Sequence, residues 1–433
     1  MNVAGEIRVP GDKSISHRAL ILSAVGAGRS RITGILDAAD VRSTAGALRQ
    51  LGVRVPALGA ELVVEGVGRP GLLAPRDPLD CGNSGTTARL LAGVVAGAGV
   101  TARFVGDRSL SRRPMRRVAR PLEAMGAVIE FEGPDGLPMT VRGGPLHGID
   151  WLNEVASAQV KSAILLAGVL GGVEVTVREP RLSRDHTERM LSARGVGSES
   201  RPGYVRMFPA TRLEACDVDV PADPSSAAFF GGLAALAASG ELVLRDVCVN
   251  PTRIGFFDLL REMGASVEFR DARIQSGEPV ADILVRAAAL NPIEVGAERV
   301  PSLIDEIPLL ACLAARARGE SRITGAAELR VKESDRIAAV VSNLRVVGAE
   351  ARELPDGIVV AGSDAPLAGR VVTHGDHRLA MAFAVLGAST GGRISIDDPG
   401  CVDVSYPDFW RDLDRVSRAG EPERAGAIRG PRG

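Results

Sequence analysis

The sequence predicts an α/β protein assembled from five or six similar units, and three observations carry that reading. A leucine-rich phrase ending in glycine recurs about every seventy residues: ALRQLGV at Gly52, PLEAMGA at Gly126, MLSARGV at Gly195, LLREMGA at Gly264 and NLRVVGA at Gly348, with a weaker sixth ending at Gly420. Each phrase reads as the end of a helix with glycine in the left-handed capping position, and most run on into a short alternating stretch, such as ASVEFR, that reads as a strand. Between them lie four segments that start with small polar residues and continue almost wholly apolar: DKSISHRALILSAVGAG, GNSGTTARLLAGVVAGAG, SAQVKSAILLAGVLGG and DPSSAAFFGGLAALAASG. A helix apolar on every side is buried in its domain.

Length and composition bound the rest. At 433 residues the chain exceeds what a single core usually organises, and two domains are expected. Aromatic residues make up only 3%, so the cores must be built from Ala, Val, Leu and Ile. A net charge of -1 provides no global field for nucleic acid or an anionic membrane, so any affinity for anions is local. The five cysteines are odd in number, widely spaced and never in a C-x-x-C pair, as for small buried residues in a reducing compartment. With no apolar run long enough for a membrane span and no basic segment leading into an apolar one at the N-terminus, a cytoplasmic protein is expected. The stretch 419–433, AGEPERAGAIRGPRG, has little to bury and reads as a disordered tail.

Taken in order, the first buried helix opens with VPGDKSISHR. Its polar start, like those of the other three, either caps the helix or offers its unpaired N–H groups and positive dipole end to an anion; four such starts favour a shared cleft. A phosphate loop of the G-x-x-x-x-G-K-[ST] type does not fit, because Asp12 stands where glycine is required. Only three of the 52 Lys plus Arg residues are lysine: Lys13, Lys161 and Lys332. A chain that uses arginine nearly everywhere keeps lysine where a compact charge or a removable proton is needed. GDRSLSRRPMRRVAR concentrates arginines from Arg108 to Arg120, with Pro114 suited to the first position of a helix and Arg113 at its start. Met115, Val118, Leu122 and Met125 form its apolar face, and no aromatics are interleaved for base stacking. Asp305 and Glu306 precede a strongly apolar helix in SLIDEIPLLACLAA, as caps or as carboxylates whose proton affinity is tuned by buried surroundings. His374 and His377 lack the i, i+4 spacing and third ligand of a zinc site, so no metal is expected.

VPGDKSISHRALILSA, CGNSGTTARLL, RRPM, SAQVKSAILLAG, SRDHTERML, PADPSSAAFF, IDEIPLLA, LRVKESDRI and GDHRLAMAF occur in one chain. In content, order and rough spacing they resemble the 5-enolpyruvylshikimate-3-phosphate synthase family of enolpyruvyl transferases, from Val3 to Arg418. The resemblance implies two inside-out α/β domains, each of three βαβαββ repeats, with the active site in the interdomain cleft. The domains fall at 12–221 and, discontinuously, at 1–11 with 222–418, the chain crossing between them near VPGDK and VPADPSS. The implied reaction moves the enolpyruvyl group of phosphoenolpyruvate to the 5-hydroxyl of shikimate 3-phosphate, without metal or organic cofactor. It also implies a monomer, with glyphosate as an inhibitor that competes with phosphoenolpyruvate.

Carried over motif by motif, the resemblance gives Lys13 contact with both substrates. Shikimate 3-phosphate falls to Ser14, Arg18, Ser157, Ala158, Gln159, Arg184 and Lys332, with Ser183 a further candidate. Phosphoenolpyruvate falls to Gly85, Arg113, Arg336 and Arg378, with Gln159 reaching it as well. Asp305 accepts the 5-hydroxyl proton, and Glu333 is the favoured donor to the methylene carbon, with Lys13 a candidate for part of the proton traffic. Two positions depart from the pattern: Ala158 replaces a serine found in some members, and Val404 stands where some have a lysine, so no role is assigned there. A sister transferase acting on UDP-N-acetylglucosamine is the nearest rival, but its usual catalytic cysteine is missing from GDRSLSRRPM. A non-catalytic anion-binding relative is the other alternative.

Overall fold

A computed structural model describes residues 1–419 except 70 and 392. The expected tail therefore lies outside the described residues but for Ala419, which closes the Phe409–Ala419 helix; Gly420 also lies outside them.

The five other recurring glycines all stand at positive φ, from 82° at Gly195 to 107° at Gly126, the left-handed geometry that ends a helix. Four lead into strands, Val128–Phe131, Ser198–Arg201, Ser266–Gln275 and Glu350–Leu354. Gly52 does not. Pro56 has no N–H to offer a ladder, and Arg49 binds the carbonyls of Val55 at 2.7 Å and Pro56 at 2.6 Å. Only Arg54 bridges to the neighbouring sheet, opposite Glu65.

Three units are complete βαβαββ repeats. In one, Leu79–Asp80 and Thr101–Val105 pair in parallel across the buried Gly85–Ala98 helix, and after the Arg116–Ala124 helix Val128–Phe131 and Met139–Arg142 close the sheet antiparallel. The units opening at Ile149 and Glu294 repeat this order. At the chain crossings two units exchange first strands. Asn2–Val3 and Glu6–Ile7, which precede the Lys13–Val25 helix, pair with Ser239–Cys248, whereas Val218–Asp219, which precedes the Pro224–Leu236 helix, pairs with Ala27–Thr33. The crossing strands are tied by Asp12 N donating to Pro221 O at 2.8 Å and Asp223 N to Pro10 O at 2.9 Å. Among the described residues the last unit keeps only the parallel pair Gly369–Val371 and Ile394–Ile396.

Among the described residues six helices are buried nearly throughout: Lys13–Val25, Gly85–Ala98, Ala158–Gly171, Pro224–Leu236, Ile307–Ala314 and His377–Ser389. Four are the segments singled out above, and the other two share their character. They centre two apolar cores, one from Ile15 to Val220 with Cys248, the other from Val3 to Val9 and from Ala222 to Val416. Helix packing is close enough to demand glycine: a Cβ on Gly93 would lie 2.2 Å from the carbonyl oxygen of Ala163. No helix among the described residues is long and apolar enough to cross a membrane.

One local expectation needs correction. The arginine-rich helix starts at Arg116 rather than Pro114, after a 3-10 turn at Leu110–Arg112, and Arg113 is extended. Asp135 supplies the cap, its Oδ1 accepting from Met115 N at 2.7 Å and Arg116 N at 2.9 Å, which leaves Pro114 outside. Met115, Val118, Leu122 and Met125 are buried as one face.

Candidate functional site

The two cores enclose a cavity of about 640 Å3 between them, and all six buried helices turn their N-terminal ends toward it. Lys13 and Ser14, Gly85 and Thr86, Ala158 and Gln159, the cap Asp223, Asp305 just ahead of its helix, and His377 with Arg378 line the wall. Capping and anion binding are both served. Asp12, Ser84, Ser157, Asp223 and Asp376 each accept one first-turn N–H, while the remaining N–H groups and dipole ends make the cavity attractive to negative charge.

Every residue assigned to the site from the sequence lines this cavity. Lys13 Nζ lies 2.9 Å from Asp40 Oδ2. Arg18 is buried, donating to Thr187 and Ser162 hydroxyls at 2.7 Å and to the Ser14 carbonyl at 2.9 Å. Arg184 donates to Ser14 Oγ at 3.4 Å and to Asp305 Oδ2 at 2.6 Å. Gln159 accepts from Arg89 at 2.7 Å and donates to Thr86 Oγ1 at 2.9 Å. Ser157 caps its helix through Val160 N at 3.4 Å, and Ala158 offers backbone alone. Ser183 donates its hydroxyl to Glu179 at 2.7 Å. Gly85 leaves room for the arginines: a Cβ there would meet Arg89 Nη1 at 2.7 Å.

Two carboxylates sit among these cations. Asp305 Oδ1 is 3.8 Å from Lys332 Nζ and 3.6 Å from Arg336 Nη1, and its Oδ2 is 3.8 Å from Arg378 Nη2. Burial would raise its proton affinity, but Arg378, Lys332, Arg184 and Arg336 together hold the carboxyl well below the usual range. Glu333 lies 2.7 Å from Arg336 Nη2 and 3.4 Å from Arg113 Nη1. Burial again opposes ionisation, and Arg336 and Arg113 lead the charges that keep it ionised. Arg336 is fixed from behind by Asp376, Nε to Oδ2 at 2.7 Å. His377 is driven down to about 3 by burial, then by Lys13 and Arg378, so it is a neutral ring.

Several wall residues have no place in the motif assignment. Asp40 pairs with Lys13, and Arg117 reaches Glu328 from the other core at 2.6 Å. Arg89 is a lone arginine in an apolar helix, a signal that it must face something polar. Burial, then Arg117 and Arg113, lower its proton affinity, a cost that an anion in the cavity would offset. Lys161 is not part of the wall: it is buried between Glu179 and Glu188, at 2.9 and 2.8 Å. Neither Val404 nor any of the five cysteines lines the cavity. Among the described residues no cluster of His, Cys, Asp and Glu is arranged to hold a metal ion.

The family described as EPSP synthase (3-phosphoshikimate 1-carboxyvinyltransferase) matches residues 1–413. The chain belongs to the EPSP synthase family. A 3-phosphoshikimate 1-carboxyvinyltransferase from a Sulfurihydrogenibium species is 50% identical over 422 residues, covering 96% of this chain and 98% of the relative. One from Persephonella marina is 48% identical, covering 96% and 97%. The EPSP synthase structure from Acinetobacter baumannii superposes with a TM-score of 0.83 at 40% identity, over 96% of each chain. The enolpyruvyl transferase NikO from Streptomyces tendae shares the fold, with a TM-score of 0.74 at 18% identity over 96% of this chain and 95% of its own.

Proposed function

We propose that the chain transfers the enolpyruvyl group of phosphoenolpyruvate to the 5-hydroxyl of shikimate 3-phosphate, releasing inorganic phosphate. The observation that carries this reading is the convergence of six helix N-termini, lysines and arginines on one cavity where Asp305 and Glu333 sit among the cations. Two polyanions can be gathered there, oriented and shielded from water.

Asp305 takes the 5-hydroxyl proton as that oxygen bonds to C2 of phosphoenolpyruvate, while C3 gains a proton, giving a tetrahedral intermediate. Loss of a C3 proton and breakage of the bond from C2 to the phosphate oxygen then restore the double bond. Shikimate 3-phosphate is held by Lys13, Ser14, Arg18, Arg184, Lys332 and the helix start at Ser157, Ala158 and Gln159, with Ser183 a further candidate. Phosphoenolpyruvate is held by Lys13, Gly85, Arg113, Gln159, Arg336 and Arg378. As its anionic groups draw on Arg113 and Arg336, Glu333 loses the cations that keep it ionised and becomes able to carry a proton to and from C3. Glyphosate competes at this subsite.

The division into 12–221 and 1–11 with 222–418 belongs to the same reading and is supported by the two cores. So do a monomer in the cytoplasm and chemistry without metal or cofactor. Phosphate release from phosphoenolpyruvate, with shikimate 3-phosphate or UDP-N-acetylglucosamine as acceptor, tests it. Release with shikimate 3-phosphate alone is expected; release with the nucleotide sugar, or with neither acceptor, overturns it in favour of the sister transferase or a binding relative.

A further inference from the structure

Each chain crossing ends in an aspartate that caps the next helix. Asp12 Oδ1 accepts from Ile15 N at 2.8 Å, and Asp223 Oδ1 accepts from Ser225 N at 2.7 Å. One guanidinium stands between these two caps. Arg253 donates through Nη1 to Asp12 Oδ2 at 2.7 Å, and through Nη2 to Asp223 Oδ1 and Ser225 Oγ, both at 3.1 Å. The same Nη1 also lies 3.4 Å from His186 Nε2. The side chains of Arg253, Asp12 and Asp223 are 2%, 0% and 9% exposed. The second oxygen of Asp223 accepts from the backbone N of Lys13 at 3.0 Å. Lys13 therefore hangs by its backbone from a carboxylate that Arg253 holds, while Asp40 takes its ammonium.

We propose that Arg253 is a positioning residue for Lys13, and the proposal rests on the reading of Lys13 as an active-site charge. By bridging Asp12 and Asp223 it locks the two crossing strands together and sets where the Lys13 ammonium meets substrate. A planar fork engages two carboxylates at once, which a lysine ammonium cannot do with the same geometry. Without the fork two buried carboxylates face each other, Asp223 turns away, and the amide of Lys13 loses its anchor.

The test compares the parent chain with Arg253→Met/Asp12→Asn, which removes one charge of each sign and keeps a side-chain cap. Arg253→Lys serves if the double variant does not fold. Expected are a melting temperature close to the parent's, kcat lower by about tenfold or more, and an affinity for shikimate 3-phosphate within about threefold, since most of that subsite is untouched. Because lysine is so scarce, 13C-methylated lysine amines give few NMR signals, and loss of one in Lys13→Arg assigns that of Lys13. That signal is expected to move in the Arg253 variants. An unmoved Lys13 signal, or an undiminished kcat, overturns the proposal. If the parent releases no phosphate the functional reading fails, and the Lys13 signal alone then decides the positioning claim.

Discussion

Arg184 and Asp305 meet across the cleft, Nη2 to Oδ2 at 2.6 Å, although 121 residues separate them in the chain. The contact joins the two halves of the molecule at the carboxylate proposed as the base. It also adds to the cations that keep Asp305 ionised against the pull of burial. Asp305→Asn keeps the shape and removes the acceptor, so we expect kcat to fall by about a hundredfold or more. Because the folded carboxyl titrates well below its unfolded value of about 3.9, its ionisation places no acid limb on kcat/KM near pH 4 to 5, and a limb there that vanished in Asp305→Asn would contradict the geometry. Its contribution to stability is present above that unfolded value and is lost as pH falls through the lower folded one.

Glu333 occupies the arginines that a phosphoenolpyruvate anion needs, at 2.7 Å from Arg336 and 3.4 Å from Arg113. Glu333→Gln removes this competitor along with a proton carrier. Turnover should drop by about tenfold or more while phosphoenolpyruvate binds as tightly as before or more tightly. Steady-state kinetics separate the two effects: a raised KM with unchanged kcat would show Glu333 to be part of binding and not of proton transfer.

His17 and His377 are held neutral, His17 by burial and then Lys13 and Arg18, His377 by burial and then Lys13 and Arg378. The unfolded chain takes up a proton at each ring below about pH 6.5, which the folded chain refuses, so stability falls as pH is lowered from there toward the depressed folded values. Each ring adds a slope of up to about 1.4 kcal/mol per pH unit. Urea denaturation between pH 5 and 7.5 should show this decline, and His377→Asn should make it shallower. An equal slope in the variant would mean that His377 is protonated in the fold.

Lys161 pairs with two buried carboxylates, Glu179 and Glu188, and their charges outweigh burial and raise its proton affinity. Lys161→Met leaves both carboxylates unpaired, and a loss of about 3–5 kcal/mol is expected. Denaturant midpoints measure it; a loss under about 1 kcal/mol would place the pair among weak surface bridges.

What could be read from the sequence divides by range. A left-handed glycine cap is decided within one turn, and a wholly apolar helix has nowhere to go but inward, so Gly126, Gly264 and the helix from Gly85 are legible from a few neighbours. The missing strand after Gly52 depends on Arg49 reaching across Pro56, a tertiary detail that no alternation pattern reveals. The family motifs locate the lining residues but not their partners. Arg117 and Glu328 meet from 211 residues apart, and Arg253 and Asp12 from 241. Nothing in AADVRS announces that Asp40 takes the Lys13 ammonium. Scarcity of lysine points toward Lys13 and Lys332 as cavity charges, whereas the same scarcity at Lys161 marks a burial site.

The exchange of first strands imposes an order on the making of the molecule. Residues 12–221 are one unbroken stretch whose ends are hydrogen-bonded to each other through Asp12 and Pro221, so this half has all its parts once they have left the ribosome. Asn2–Val3 and Glu6–Ile7 are synthesised before that half, yet their partner Ser239–Cys248 emerges more than two hundred residues after them. These two strands must therefore wait, unpaired, beside a half that can already close. The other half of the cavity is assembled only when that opening segment is taken up.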